Sequence, residues 1–148
     1  MTTLQENAPV SLEGLAQILI MEDDLSVAKG LEMILSEEGH MVNLAGTGKL
    51  AMQAFKQKRF DLLVADLRLP DIDGMEVIRQ IKADKPETEV IVITGYGTTA
   101  TAVEAMKLGV HDFLPKPFTE DQIKTAIDEA LKEHVEKPVE TITQKAET

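Results

Sequence analysis

Short apolar runs recur along the chain, and each is followed by a longer stretch whose apolar positions fall three or four residues apart. The runs at 17–21, 41–45, 61–65, 90–93 and 112–114 are too short for helices and rich in Ile, Val and Leu, so they read as strands. Between them, 25–38 places Val27, Leu31, Ile34 and Leu35 at helical spacing and meets a stop at Gly39. Helices are likewise predicted over 48–58, 74–83, 98–108 and 119–135. Met75, Ile78 and Ile81 form one stripe of the third, and Gly109 ends the fourth. The last opens with Thr119-Glu120-Asp121-Gln122, a capping-box pattern.

Strands that alternate with helices imply right-handed crossovers and a parallel sheet covered on both faces. The expected fold is therefore α/β, a doubly wound, flavodoxin-like five-stranded parallel sheet in the order 2-1-3-4-5. In such sheets a ligand site lies beyond the carboxyl ends of the strands, where the strand order reverses. Residues 1–16 are mixed and polar and read as a flexible leader; 17–135 form the domain. Residues 136–148, with Pro138, charge and little apolar content, read as a disordered tail.

The length of 148 residues fits one domain with a single core. No run is long enough for a membrane helix and no signal pattern opens the chain, so cytoplasmic residence is expected. There is no cysteine, which excludes disulfides, thiol catalysis and thiolate metal sites. The formal charge of −11 comes without a basic cluster, so direct nucleic-acid binding is not expected.

Charge gathers at strand ends. Glu22-Asp23-Asp24 follow the first strand, Asp66 the third, and Lys116-Pro117 the fifth. If the first and third strands are neighbours, their carboxylates converge. Clustered carboxylates repel and invite a divalent cation; Mg²⁺ uses one or two carboxylates, keeps several waters and commonly binds phosphate. Asp23 and Asp24 can also cap the following helix, and Asp24 is the better placed for that. Thr94 ends the fourth strand, where its hydroxyl can meet a phosphoryl oxygen, with Gly95 leaving room. Lys116 precedes a proline, which makes it extended and its peptide bond a cis candidate. Its ammonium can balance the carboxylates and then pair with an incoming phosphate. Taken singly these are a cap, a turn residue and a solvated lysine; together they occupy the ends of strands one, three, four and five.

This arrangement, with Asp66-Leu67-Arg68-Leu69-Pro70 through Asp73-Gly74 and Phe113-Leu114-Pro115-Lys116-Pro117-Phe118, resembles the receiver domain of two-component response regulators. The resemblance covers about 17–135. It implies that Asp66 is a phosphoacceptor whose carboxylate attacks a phosphohistidine and becomes an acyl phosphate. It also implies a Mg²⁺ held by Glu22, Asp23, Asp66 and the backbone carbonyl of Arg68, with Thr94 and Lys116 binding the phosphoryl oxygens. Thr94 and Phe113 match the switch pair, acting on the face made by the fourth helix, fifth strand and fifth helix. The implied partners are a histidine kinase or histidine phosphotransfer protein, a downstream protein, and a second copy on phosphorylation. Glu22 departs from the commoner Asp and reaches further, so its contact with the metal can run through water. Phe113 replaces a frequent Tyr and offers no phenolic hydrogen bond. Arg68 and Tyr96, two residues beyond Asp66 and Thr94, should flank the pocket mouth and tune water access. Gly95, Gly97 and Gly109 offer hinge freedom around the fourth helix.

Two further motifs are lookalikes. Gly46-Thr47-Gly48-Lys49 hints at a phosphate loop, but the glycine five residues before Gly48 is missing and Leu50 replaces the needed hydroxyl. Asp71-Ile72-Asp73-Gly74 echoes a calcium loop, but Leu69 and Gln80 stand where acidic ligands belong. His40, His111 and His134 follow no metal-ligand spacing and read as surface or boundary residues; Met75 and Met106 read as core filler.

The function expected is a phosphorylation-activated signalling module, not an enzyme beyond its own phosphorylation and autodephosphorylation. A Mg²⁺-dependent aspartate-nucleophile phosphatase is the rival, but haloacid-dehalogenase-like enzymes need a second Asp where Arg68 stands. A phosphorylation-independent interaction module would not need the full acidic set. With no second domain after Val135, a stand-alone receiver acting by protein contact is favoured over the front of a longer transcriptional regulator.

Overall fold

The computed structural model describes residues 15–147, with side chains described as far as 133. Among these residues five strands alternate with five helices: β1 (Gln17–Met21), α1 (Leu25–Glu37), β2 (Met41–Ala45), α2 (Gly48–Gln57), β3 (Leu62–Asp66), α3 (Gly74–Asp84), β4 (Glu89–Thr94), α4 (Thr99–Lys107), β5 (Asp112–Pro115) and α5 (Glu120–Glu147). All strand pairs are parallel and the order is β2-β1-β3-β4-β5, as the alternation predicts.

Strand parity divides the core in two. Leu19, Met21, Leu63, Ala65, Val90 and Val92 face Phe55, Met75, Ile78, Ile81 and Ala105 of α2, α3 and α4. Ile18, Ile20, Leu62, Val64, Ile91 and Ile93 face Leu31, Leu35, Ile123, Ile127 and Leu131 of α1 and α5. β3 and β4 are buried along their whole length, which explains why they carry continuous apolar runs and no alternation. Each fully buried Ile or Leu contributes about 1.5–3 kcal/mol relative to exposure.

Local signals set the helix ends. Asp24 caps α1, its carboxylate accepting from Ser26 and Val27 N–H, and Thr98 and Thr101 form a capping box at α4. At α5, Thr119 Oγ1 accepts from Gln122 N–H (3.1 Å) while Gln122 Oε1 accepts from Thr119 N–H (2.8 Å). Gly39 and Gly109, with φ of 99° and 94°, close α1 and α4 in a conformation that side chains resist.

Three expectations need correction. α5 runs to Glu147 through the segment read as a disordered tail; residues 139–147 include Glu, Gln, Lys and Ala, which continue a helix once it is nucleated. Within the stretch read as leader, residues 1–14 lie outside the described residues, but Leu15 and Ala16 are part of the fold. Leu15 packs over Gly39, and Ala16 O accepts from Met41 N–H. Met106 is half exposed on α4 and is not core filler, whereas Met75 is buried.

His40 also differs from a surface residue. It is buried, and its Nδ1 accepts the Ala16 N–H at 3.0 Å, tying the start of β1 to the turn before β2. Burial pushes the imidazole below the ordinary histidine range, opposed by Asp128, Glu38 and Asp61. The folded state thus binds the proton less readily than the unfolded chain. The His40 contribution to stability is full above the unfolded value of about 6.5 and is lost as pH falls through the lower folded value. Between about pH 8 and about pH 5 the urea midpoint of the native chain should fall further than that of His40→Gln. Equal losses would show that His40 is not the source.

Candidate functional site

The register explains why four strand ends share one pocket. Met21 pairs with Ala65, so Glu22 and Asp66, one residue on, come side by side where β1 and β3 end. This is the point where the strand order turns, with α1 on one face and α2 on the other. Asp66 in turn pairs with Ile93, which puts Thr94 next to it. Lys116 N–H donates to Thr94 O at 2.8 Å, which brings the Lys116 side chain in from the β5 side; the Lys116–Pro117 bond is cis.

One ammonium serves two carboxylates. Lys116 Nζ donates to Glu22 Oε1 at 2.7 Å and to Asp66 Oδ2 at 3.1 Å. The second oxygen of each carboxylate accepts a backbone N–H: Asp24 N–H to Glu22 Oε2 at 3.0 Å, and Arg68 N–H to Asp66 Oδ1 at 3.2 Å. The Glu22 and Asp66 side chains are 0% and 6% exposed, that of Lys116 24%. Burial raises the Glu22 carboxyl above the ordinary range, against the lowering by Lys116 and the Asp24 N–H. For Lys116, burial acts downward, but the hydrogen bonds to Glu22 and Asp66 and their charges outweigh it and hold the ammonium above the usual lysine range.

Asp23 adds a third, exposed carboxylate; ligand oxygens of Glu22, Asp23 and Asp66 lie within 4.8 Å of one another. Three carboxylates against one ammonium leave a surplus of negative charge around oxygen-only donors. That donor set fits a hard divalent cation such as Mg²⁺.

Around the mouth, the Arg68 guanidinium carbon lies 3.8 Å from the centroid of the Tyr96 ring, a cation–π stack joining the loop after β3 to the loop after β4. The two residues expected to flank the pocket therefore touch. Thr94 is fully buried and its Oγ1 accepts from Tyr96 N–H at 3.2 Å. Phe113 is half buried. Its ring fills the space beside Gly97, where a Cβ would come within 2.7 Å of Phe113 Cε1 and 3.3 Å of the Thr94 methyl carbon. Thr94, Gly97 and Phe113 thus form one contact set. A groove of about 520 Å³, lined mainly by Val27, Leu31, Ile34, Pro117 and Phe118, adjoins Lys116 between α1 and the turn into α5.

Spacing did not reveal two contacts. The carboxylate of Asp71 reaches across to the start of α2, and its only sequence signal was a calcium-loop echo with the wrong partners. A second group of donors, Glu89, His111 and Glu133, gathers within 4.8 Å at the opposite end of the sheet, with His111 Nδ1 3.3 Å from Glu133 Oε1. The side chain of His134 lies outside the described residues.

Since Lys116 separates two enclosed carboxylates, its loss leaves them facing each other. Lys116→Met should lower stability by about 1–3 kcal/mol. Adding Asp66→Asn to that variant should return part of the loss. Urea unfolding of the four members of the cycle checks this, and strict additivity would refute the shared-cation account.

The response regulator receiver domain family matches residues 18–128 of this chain. The chain is 38% identical over 114 residues to the transcriptional regulatory protein ZraR of Klebsiella oxytoca, a match spanning 77% of this chain and 26% of that protein. Among solved structures, the signal receiver domain of a LuxO repressor protein from Vibrio parahaemolyticus superposes with a TM-score of 0.80 at 30% identity, covering 84% of this chain and 95% of that one. The beryllofluoride-activated NtrC4 receiver domain, solved as a dimer, superposes with a TM-score of 0.76 at 38% identity, covering 80% and 98%. The chain thus spans about a quarter of the length of the transcriptional regulator it matches. A family match over most of the chain and the five-stranded parallel fold agree: the chain is a member of the response regulator receiver domain family, the signalling modules of two-component systems.

Proposed function

We propose that the chain accepts a phosphoryl group on Asp66 from a phosphohistidine of a histidine kinase or phosphotransfer protein. The observation that carries this reading is the Lys116 ammonium hydrogen-bonded to both Asp66 and Glu22 at the point where the strand order turns. A carboxylate oxygen of Asp66 forms the new O–P bond, the P–N bond of the phosphohistidine breaks, and the histidine nitrogen keeps the electron pair. Such transfers depend on positioning and charge neutralisation more than on covalent help from the protein. Asp66 is oriented by the Arg68 N–H, and Lys116 can turn from Asp66 toward the arriving oxygens. Asp23, Asp66 and the Arg68 carbonyl, with Glu22 behind them, would hold Mg²⁺, which when bound supplies further neutralisation of the phosphoryl charge.

The signal leaves through Thr94. Its hydroxyl accepts the Tyr96 N–H and can donate to a phosphoryl oxygen; moving to do so opens space next to Phe113, whose ring already packs there. The mover is α4, whose exposed Val103 and Met106 offer an apolar strip for a downstream protein or a second copy. The donor histidine is itself carried on a protein, and the apolar groove beside Lys116 suits contact with that donor. Among the described residues no helix is long and apolar enough to cross a membrane, and we place the exchange in the cytoplasm.

Incubation with Mg²⁺ and a small phosphodonor should give a single phosphoryl adduct by intact mass, absent in Asp66→Asn. No adduct on the native chain would reject the reading, and turnover of many phosphoesters would favour a phosphatase. The Arg68–Tyr96 stack joins the loops that follow Asp66 and Thr94, so Arg68→Ala and Tyr96→Ala should each change the rate of phosphate release from the adduct. The expected change is about two- to fivefold, the factor given by an exposed cation–π contact; unchanged rates in both would remove the stack from the mechanism.

A further inference from the structure

The two lookalike motifs meet in space. Asp71 Oδ1 accepts the Gly48 N–H and Oδ2 the Lys49 N–H, both at 2.9 Å, so one carboxylate sits squarely on the amino end of α2. Free N–H groups and the helix dipole make such an end a natural anion receptor. Here the anion is the chain's own. The Gly-Thr-Gly-Lys stretch that hints at a phosphate loop spends its amides on the loop that hints at a calcium site. The hydrogen bonds from Lys49 and Gly48 hold the Asp71 carboxyl below the usual carboxylate range, so it stays ionised at neutral pH.

The loop so held is the one that carries Arg68. It leaves Asp66 and returns at α3, and both of its ends are fixed. Gly74 N–H donates to Leu67 O at 3.0 Å, and a Cβ on Gly74 would lie 2.5 Å from Asp66 O; Asp73 caps α3 by accepting from Met75 N–H at 3.0 Å. The middle is exposed at Arg68, Pro70, Asp71 and Ile72. There, besides Asp71, Ile72 presses on Gly48, where a Cβ would come within 2.6 Å of Ile72 Cγ1. Polar and apolar contacts thus fasten the middle of the loop to the first turn of α2. From that anchor Arg68 stacks on Tyr96 of the loop after Thr94.

We propose that Asp71 is a positioning residue: by seating on the amino end of α2 it fixes the loop after Asp66 and so holds Arg68 in its stack on Tyr96 over the phosphoacceptor pocket. α2 is in this sense part of the site, through the backbone N–H groups of its first turn. The arm concerning the acyl phosphate rests on Asp66 being the acceptor; the arm concerning the stack does not.

Tyr96 is the only tyrosine and there is no tryptophan, so intrinsic emission and its quenching by acrylamide report this ring alone. Asp71→Ala should shift both in the same sense as Arg68→Ala does. Gly48→Ala, which drives a methyl into Ile72, should do likewise. Asp71→Asn keeps one acceptor oxygen and should recover part of the native signal. The decisive control is Thr47→Ala, which removes the other cap of α2 (the Leu50 N–H to Thr47 Oγ1 bond of 3.0 Å) and leaves Asp71 in place. It should lower the urea midpoint as Asp71→Ala does while leaving the Tyr96 signal native. A native Tyr96 signal in Asp71→Ala, or a shift of equal size in Thr47→Ala, overturns the proposal. On the phosphorylated chain, Asp71→Ala should change the rate of phosphate release in the same direction as Arg68→Ala, by about two- to fivefold. If no adduct forms on the native chain, the phosphoacceptor reading fails while the Tyr96 arm still decides the role of Asp71.

Discussion

The site depends on one ammonium placed between two enclosed carboxylates. Glu22 and Asp66 are driven together by the adjacency of β1 and β3, and each would be costly in that position with nothing to offset it. Lys116 lies ninety-four positions from Glu22 in sequence, so the bond forms only when the whole sheet is assembled. The fold and the chemistry therefore constrain each other. The sheet must close through β5 for the carboxylates to be tolerated, and the carboxylates hold the end of β5 where the pocket needs it. An ammonium held this way is also exchangeable, since an incoming phosphoryl group offers it a partner of the same sign as the carboxylates and greater charge.

Much of this was legible in the chain, and the reason is periodicity. Strand parity and helical spacing are local, and they were enough for the order of elements and for the doubly wound sheet. The site followed because a parallel sheet sends all its strand ends to one side, which turns Glu22, Asp66, Thr94 and Lys116 from scattered residues into neighbours. The same logic led to the expectation that Arg68 and Tyr96, on the loops after β3 and β4, lie near each other. Their stacking is a matter of two long side chains choosing rotamers, which no spacing records.

What stayed hidden was tertiary in origin. His40 read as a surface or boundary residue because nothing near it in sequence announces that Ala16 will need an acceptor. Asp71 looked like part of a failed calcium loop because its real partners are backbone amides, which every residue possesses. Met106 satisfied helical spacing on a helix with only one fully buried residue, Ala105, so the stripe that spacing detects points outward. The end of α5 was misplaced for another reason: a polar composition argues against a core, but it does not argue against a helix.

The edge strand β5 carries a last consequence. It is four residues long and ends in Pro115, with Pro117 two residues on, so the outer rim of the sheet offers few amide donors to another chain. A free sheet margin is ordinarily a template on which a foreign strand can zip itself. Here that template is cut short beside the very surface that α4 and α5 present. Any conversation with another protein across this side must therefore be held in the language of side chains and helix faces, where specificity can be read, and not in the common grammar of the backbone.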